Sequence, residues 1–248
     1  TGGGVLAALA AGSAAILKPA PQARRCGAVL AEAIWEAGVP RDLFSFVDVE
    51  EGELGQQLVT APELGRVVLT GGFETAALFR SWKHDLPLLA ETSGKNAIII
   101  TPSADLDLAV GDLVKSAFGN AGQKCSAASL AILVGSVARS ERFRRQLTDA
   151  VASLAVGPAD DPATLVGPLV EPPHGKLERA LTELDEGESW LVRPRQLDGT
   201  DRLWSPGVRD QVAPGSTTHR VFKLLEFVFQ FRHTLERSGL FCDFQFFL

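Results

Sequence analysis

Arg66-Val67-Val68-Leu69-Thr70-Gly71-Gly72 runs a short apolar segment straight into paired glycines, and residues 73–82 then carry a helical pattern. Glycine between a strand and a helix lets the backbone approach a ligand, while the helix N-terminus offers free N–H groups to a phosphate. The same alternation precedes it. Ala14-Ala15-Ile16-Leu17 reads as a buried strand and Leu43-Phe44-Ser45-Phe46-Val47 as the next, with a helix over 23–37 between them. In that helix Val29, Leu30, Ala33 and Ile34 recur at helical spacing, and Gly38 with Pro40 supplies the stop. Apolar runs alternating with helices over 14–91 are the signature of βαβ units around a parallel sheet.

Downstream, Leu86-Pro87-Leu88-Leu89-Ala90 is a fourth apolar run, ending at Glu91-Thr92-Ser93-Gly94-Lys95. A strand over 97–101, a helix over 105–118 with an acidic start, and a strand over 130–134 follow. The next helix spans 139–154, since Phe143, Leu147, Val151 and Leu154 share one face. Beyond Gly157 proline and acidic residues dominate until a short helix over 176–184. Residues 221–248 hold eight of the fourteen phenylalanines, show little strand alternation and look foreign to the rest.

With 248 residues, 46% hydrophobic and 22% charged, the chain has the composition of an ordinary globular protein of one large or two modest domains. Collagen and wholly disordered chains are excluded. Its 24 basic and 30 acidic residues leave −6, the wrong sign for neutralising phosphates, so no nucleic-acid partner is expected. Cys26, Cys125 and Cys242 are too dispersed for a disulfide framework and fit a reducing, cytoplasmic setting. The uncharged stretch 2–17 has four glycines and no basic region ahead of it, and is too short to span a membrane, so neither a span nor a signal peptide is expected. The chain has no methionine and opens Thr1-Gly2-Gly3-Gly4, which reads as a fragment. His84, His174, His219 and His233 lie in no ligand-like spacing, and no metal is expected; Asp160 and Asp161 read as a solvated loop.

Cys125 sits in Asn120-Ala121-Gly122-Gln123-Lys124-Cys125-Ser126, a polar turn with a cation beside it. Such surroundings favour a nucleophilic thiolate, and an inert thiol fits them equally well. Glu91 ends an apolar strand and opens a glycine-containing turn. A carboxylate partly withdrawn from water there suits a general base, and a solvated strand end is the plain alternative.

Lys18-Pro19-Ala20, Leu69-Thr70-Gly71-Gly72, Glu91-Thr92-Ser93-Gly94-Lys95 and Gly122-Gln123-Lys124-Cys125 occur in order, with 34 residues from Glu91 to Cys125. Together they resemble the aldehyde dehydrogenase superfamily. The wording of the last two stretches is most similar to L-glutamate γ-semialdehyde (1-pyrroline-5-carboxylate) dehydrogenase, as in the dehydrogenase module of bifunctional proline-utilisation proteins. The resemblance covers residues 2–220. It implies an α/β fold: an incomplete Rossmann-like parallel-sheet cofactor domain over 1–91, then part of an α/β catalytic domain over 92–220. Residues 221–248 form a Phe-rich tail outside the family pattern.

The roles the resemblance implies follow residue by residue. Cys125 attacks the aldehyde, its backbone N–H helps to hold the oxyanion, and hydride passes to NAD. Glu91 activates the water that hydrolyses the thioester. Lys18 binds the adenosine ribose, Thr70, Gly71 and Gly72 meet the pyrophosphate, and Gly94 passes beside the nicotinamide. Ser126 and Lys124 suit a substrate carboxylate, with a helix-capping serine and a surface lysine as the plain alternative. The substrate is a small-molecule aldehyde, and the parent protein is expected to be a homo-oligomer or fused to a proline dehydrogenase domain.

The pattern also breaks. An oxyanion-hole asparagine is expected in a Pro-Trp-Asn-Phe stretch a little over twenty residues before Lys18, where only 17 residues precede it. A Glu-containing Phe-Gly-Pro segment is expected after Arg220, where Val221-Phe222-Lys223-Leu224-Leu225-Glu226 stands. Pro21 stands where many relatives have a ribose-binding glutamate. A catalytically inactive fragment, and a dehydrogenase for another semialdehyde such as succinate semialdehyde, are therefore alternative outcomes.

Overall fold

The computed structural model describes residues 2–92, 94–214 and 216, and the backbone of 226–231. Two compact units divide the chain, Thr1–Ser93 and Gly94–Leu248.

In the first unit α1 (Gly2–Ala10) precedes β1 (Ala15–Leu17), α2 (Arg24–Glu36), β2 (Phe44–Phe46), α3 (Glu53–Thr60), β3 (Val67–Thr70), α4 (Phe73–Trp82) and β4 (Leu88–Glu91). β1 pairs with β2 and β3 with β4, each pair parallel and each closed by the helix between its strands. Ala31 and Ile34 of α2 bury against Leu17, Phe44 and Val5. A second cluster gathers Val59, Phe79 and Leu86, with Phe79 stacked on Trp82 at 5.3 Å. Each fully buried large side chain is worth about 1.5–3 kcal/mol, enough to hold strands this short. The uncharged stretch at the start folds as α1, overriding the poor helix propensity of its glycines. Packing explains this, because the helix buries Val5 in the cluster of Leu17, Ala31, Ile34 and Phe44.

The second unit comprises β5 (Asn96–Ile100), α5 (Leu106–Phe118), β6 (Ala128–Leu133), α6 (Glu141–Ala152), α7 (Lys176–Thr182), β7 (Ser189–Val192), β8 (Gly207–Asp210) and β9 (Glu226–Phe231). Its sheet has the order β5-β6-β9-β8-β7, parallel except between β7 and β8. Asp105 caps α5 by accepting from the N–H groups of Asp107 and Leu108, and Ser140 caps α6 by accepting from that of Phe143. The faces so positioned bury Leu113, Val114, Ala117, Phe143, Leu147 and Val151 with Leu133 of β6.

Three strands differ from the sequence expectation. β7 is a short run that the expectation passed over between Gly187 and Pro194. β8 carries Arg209 and Asp210, charges that a strand reading rejects, yet both are buried. They are accommodated by partners: Arg209 bonds Glu188 at 2.7 Å, and Arg144 bonds Asp210 at 2.6 Å. Within the tail read as foreign, the backbone of Glu226–Phe231 forms β9 between β6 and β8. A strand with parallel neighbours on both sides needs no polar alternation, which removes the cue used to reject it. The rest of that tail, with Cys242 and His233, lies outside the described residues, as does His219. No helix among the described residues is long and apolar enough to cross a membrane.

Candidate active site

Cys125 lies on the connection from α5 to β6. After α5 the backbone makes three consecutive left-handed steps, at Asn120 (φ 56°), Ala121 (φ 54°) and Gly122 (φ 68°). Asparagine and glycine adopt this conformation readily, whereas for fully buried Ala121 it costs about 1–2 kcal/mol. The turn then reverses, exposes Lys124, Cys125 and Ser126 together, and returns to the core at Ala127.

Two carboxamides hold this turn. Asn96, at the start of β5, donates through Nδ2 to the carbonyl oxygens of Cys125 (2.7 Å) and Ala127 (3.1 Å). Gln123 donates to the Pro168 carbonyl at 3.2 Å and accepts from the Val170 N–H at 2.8 Å, tying the turn to the wall of an apolar cleft of ≈ 410 Å³. Immediately after the turn Ala128 pairs with Asn96 and Leu130 with Ala97, leaving Ser129 as an extra residue in the ladder. Such a bulge re-aims the side chains beside it. Neither Asn96 nor Gln123 was assigned a role from sequence. The available signal was a polar residue opening the apolar run Ala97-Ile98-Ile99-Ile100.

Glu91 ends β4 in the first unit. It pairs in register with Thr70, and its carbonyl oxygen accepts the Gly71 N–H at 3.1 Å. The structure thus brings Thr70, Gly71 and Glu91 together at the C-terminal ends of β3 and β4, where ligands bind in open parallel sheets. Glu91 is exposed, the solvated strand end of the two readings that the sequence left open; its neighbours on β4, Leu89 and Ala90, are exposed as well. Gly72 is the N-cap of α4 and supplies no side-chain cap, leaving first-turn N–H groups for a pyrophosphate. A nicotinamide dinucleotide fits this arrangement.

Lys18 follows β1 and pairs with Glu51, Nζ to Oε1 at 2.7 Å. Gly94 is exposed at the opening of the second unit. Glu91 belongs to the first unit and Cys125 to the second. Among the described residues no group of three or more metal-binding side chains occurs.

Parallel strand pairs closed by helices, with glycines at the strand ends, define an α/β protein of the nucleotide-binding type. The chain belongs to the aldehyde dehydrogenase family, a family of oxidoreductases, whose model matches residues 2–220. Proline Utilization A (PutA) from Corynebacterium freiburgense superposes with a TM-score of 0.86 at 52% identity, covering 92% of this chain and 23% of that one. The 1-pyrroline-5-carboxylate dehydrogenase of Bacillus subtilis is 33% identical over 202 residues, 77% of this chain and 38% of the relative. An NADP-dependent glyceraldehyde-3-phosphate dehydrogenase from Bacillus halodurans, complexed with NADP, has a TM-score of 0.76 at 25% identity, with 87% and 45% covered. The chain therefore spans less than half the length of each of these proteins.

Proposed function

We propose that the protein oxidises L-glutamate γ-semialdehyde to L-glutamate with NAD, as the dehydrogenase part of a cytoplasmic proline-utilisation protein that also carries a proline dehydrogenase domain. The observation that carries this reading is the exposed Cys125 thiol on a turn pinned at its carbonyl by Asn96, in a chain 52% identical to a PutA.

The Cys125 thiolate adds to the aldehyde carbon, forming a C–S bond as the carbonyl π pair moves onto oxygen. The backbone N–H of Cys125 helps to hold that oxyanion. A nicotinamide cofactor bound there would supply the hydride acceptor, and as the oxyanion collapses to re-form the C=O bond a thioester is left on Cys125. Glu91 then takes a proton from water. The resulting hydroxide adds to the thioester carbon, the C–S bond breaks, and Cys125 leaves as thiolate with the product carboxylate. Lys18, with Thr70, Gly71 and Gly72, holds the ribose and pyrophosphate. Gly94 leaves room beside the nicotinamide, and Ser126 and Lys124 bind the substrate's carboxylate end.

The test is NADH formation from glutamate semialdehyde and succinate semialdehyde by wild type, Cys125→Ala and Ser126→Ala. The proposal requires Cys125→Ala to be inactive and Ser126→Ala to lose selectivity between the two substrates. Unchanged turnover in Cys125→Ala refutes the mechanism, and a preference for succinate semialdehyde refutes the substrate.

A further inference from the structure

The nucleophile turn is fastened at Gln123 to residues 168–170, and those residues are fastened in turn by a side chain far along the sequence. In an extended segment the N–H and C=O of one residue point to one edge, while the preceding C=O and the following N–H point to the other. Gln123 takes the second edge. It donates to the Pro168 carbonyl oxygen at 3.2 Å and accepts the Val170 N–H at 2.8 Å, so that its carboxamide stands in for a neighbouring strand. Arg202 takes the first edge. Its carbonyl oxygen accepts the Leu169 N–H at 2.8 Å, and its guanidinium Nε donates to the Leu169 carbonyl oxygen at 2.7 Å. The Leu169 side chain, 2% exposed, is meanwhile set in the core, so the segment is held along both edges and from below.

Arg202 is itself held. It sits in the turn of a hairpin closed by the Leu197 N–H on the Leu203 carbonyl oxygen and the Ser205 N–H on that of Arg195, both at 2.8 Å. Inside the turn the Asp198 carboxylate accepts the N–H groups of Thr200 and Leu203, each at 3.3 Å, and the Thr200 hydroxyl at 2.7 Å. Packing gives less support on the Gln123 side, where Gln123, Leu169, Val170 and Leu177 line the open cleft of ≈ 410 Å³. Hydrogen bonds there fix what close packing fixes in a solid core.

We infer that Arg202 is a positioning residue for the nucleophile: it sets the 168–170 segment, Gln123 carries that setting into the turn, and Cys125, two residues on, is held for attack. This rests on the reading of Cys125 as the dehydrogenase nucleophile. Loss of the Nε donor leaves Leu169 bonded along that edge through its N–H alone, and the slack passes through Gln123 to the sulfur. Attack on a carbonyl carbon tolerates little slack, since a misplacement of about 1 Å costs on the order of 10²-fold in rate.

Peptide-resolved iodoacetamide labelling of the full chain, with exposed Cys26 as reference, reads the turn without turnover. Arg202→Ala is expected to change the Cys125 rate about threefold or more relative to Cys26. It should also lower kcat for glutamate semialdehyde roughly 3- to 30-fold while the KM for NAD⁺ stays unchanged. Gln123→Ala does the same, and Arg202→Ala adds nothing further in the Gln123→Ala background, the non-additivity of two links in one chain. Arg202→Lys, which keeps the cation but sets a carbon where Nε stood, behaves like alanine and serves if Arg202→Ala melts too early to assay. A wild-type labelling rate in folded Arg202→Lys overturns the inference. Additive effects in the double variant overturn it too, because they give Arg202 a separate route to the turn. If wild type labels at Cys125 but forms no NADH, the dehydrogenase reading fails while the labelling cycle still decides whether Arg202 holds the turn.

Discussion

Replacing Asn96 by alanine removes both bonds that its carboxamide makes to the nucleophile turn, at 2.7 and 3.1 Å. Each is worth about 0.5–1.5 kcal/mol net, so together they restrain the turn by roughly 1–3 kcal/mol. If the Cys125 backbone must hold its position in the transition state, that loss lowers kcat/KM roughly 5- to 150-fold. Asn96→Asp is expected to be worse than alanine, because it aims a carboxylate at two carbonyl oxygens where a donor stood. Peptide-resolved alkylation by iodoacetamide reads the turn directly: Cys26 and Cys125 are both exposed, so Cys26 serves as the internal standard. The rate at Cys125 should change relative to Cys26 in both variants while the melting temperature falls only modestly. Wild-type alkylation and kcat/KM in both variants would show that Asn96 does not hold this turn.

Two further outcomes follow from paired charges. Glu188→Ala takes the paired carboxylate from the Arg209 guanidinium, buried at 1% exposure beside Trp190 and left with carbonyl acceptors only at Arg179 and Ala180 among its described bonds, and should cost about 3–5 kcal/mol; a melting temperature within a degree or two of wild type would contradict it. Hydrogen bonds from Gln146 and then Arg142 hold the Asp107 carboxyl below its ordinary value of 3.8. The stabilisation from this tie between α5 and α6 is therefore full above that value and is lost as pH falls through the lower folded-state value. Asp107→Asn should melt below wild type near neutral pH and coincide with it in strong acid, and a gap independent of pH would refute the tie.

The alternation of strands and helices in the first unit was legible because local pattern decides it: α4 occupies 73–82 as the glycine pair and helical spacing predict. β8 was not, since Arg209 and Asp210 are tolerated in a buried strand through ion pairs with Glu188 and Arg144, residues 21 and 66 positions away. The motif order marked Cys125, Glu91 and Lys18 as candidates. Sequence spacing could not reveal that Asn96 reaches across the ladder to the Cys125 carbonyl, or that Glu51 meets Lys18, because both contacts are created by strand register. Exposure of Glu91 likewise depends on what covers β4, which no local pattern encodes.

Intact-mass analysis of Glu91→Gln after mixing with NAD⁺ and glutamate semialdehyde tests the two-residue chemistry most directly. The account predicts one equivalent of NADH and an acyl adduct that peptide mapping assigns to Cys125, persisting because its hydrolysis lacks a base. Steady multiple turnover by Glu91→Gln, or an adduct on any other residue, would contradict it.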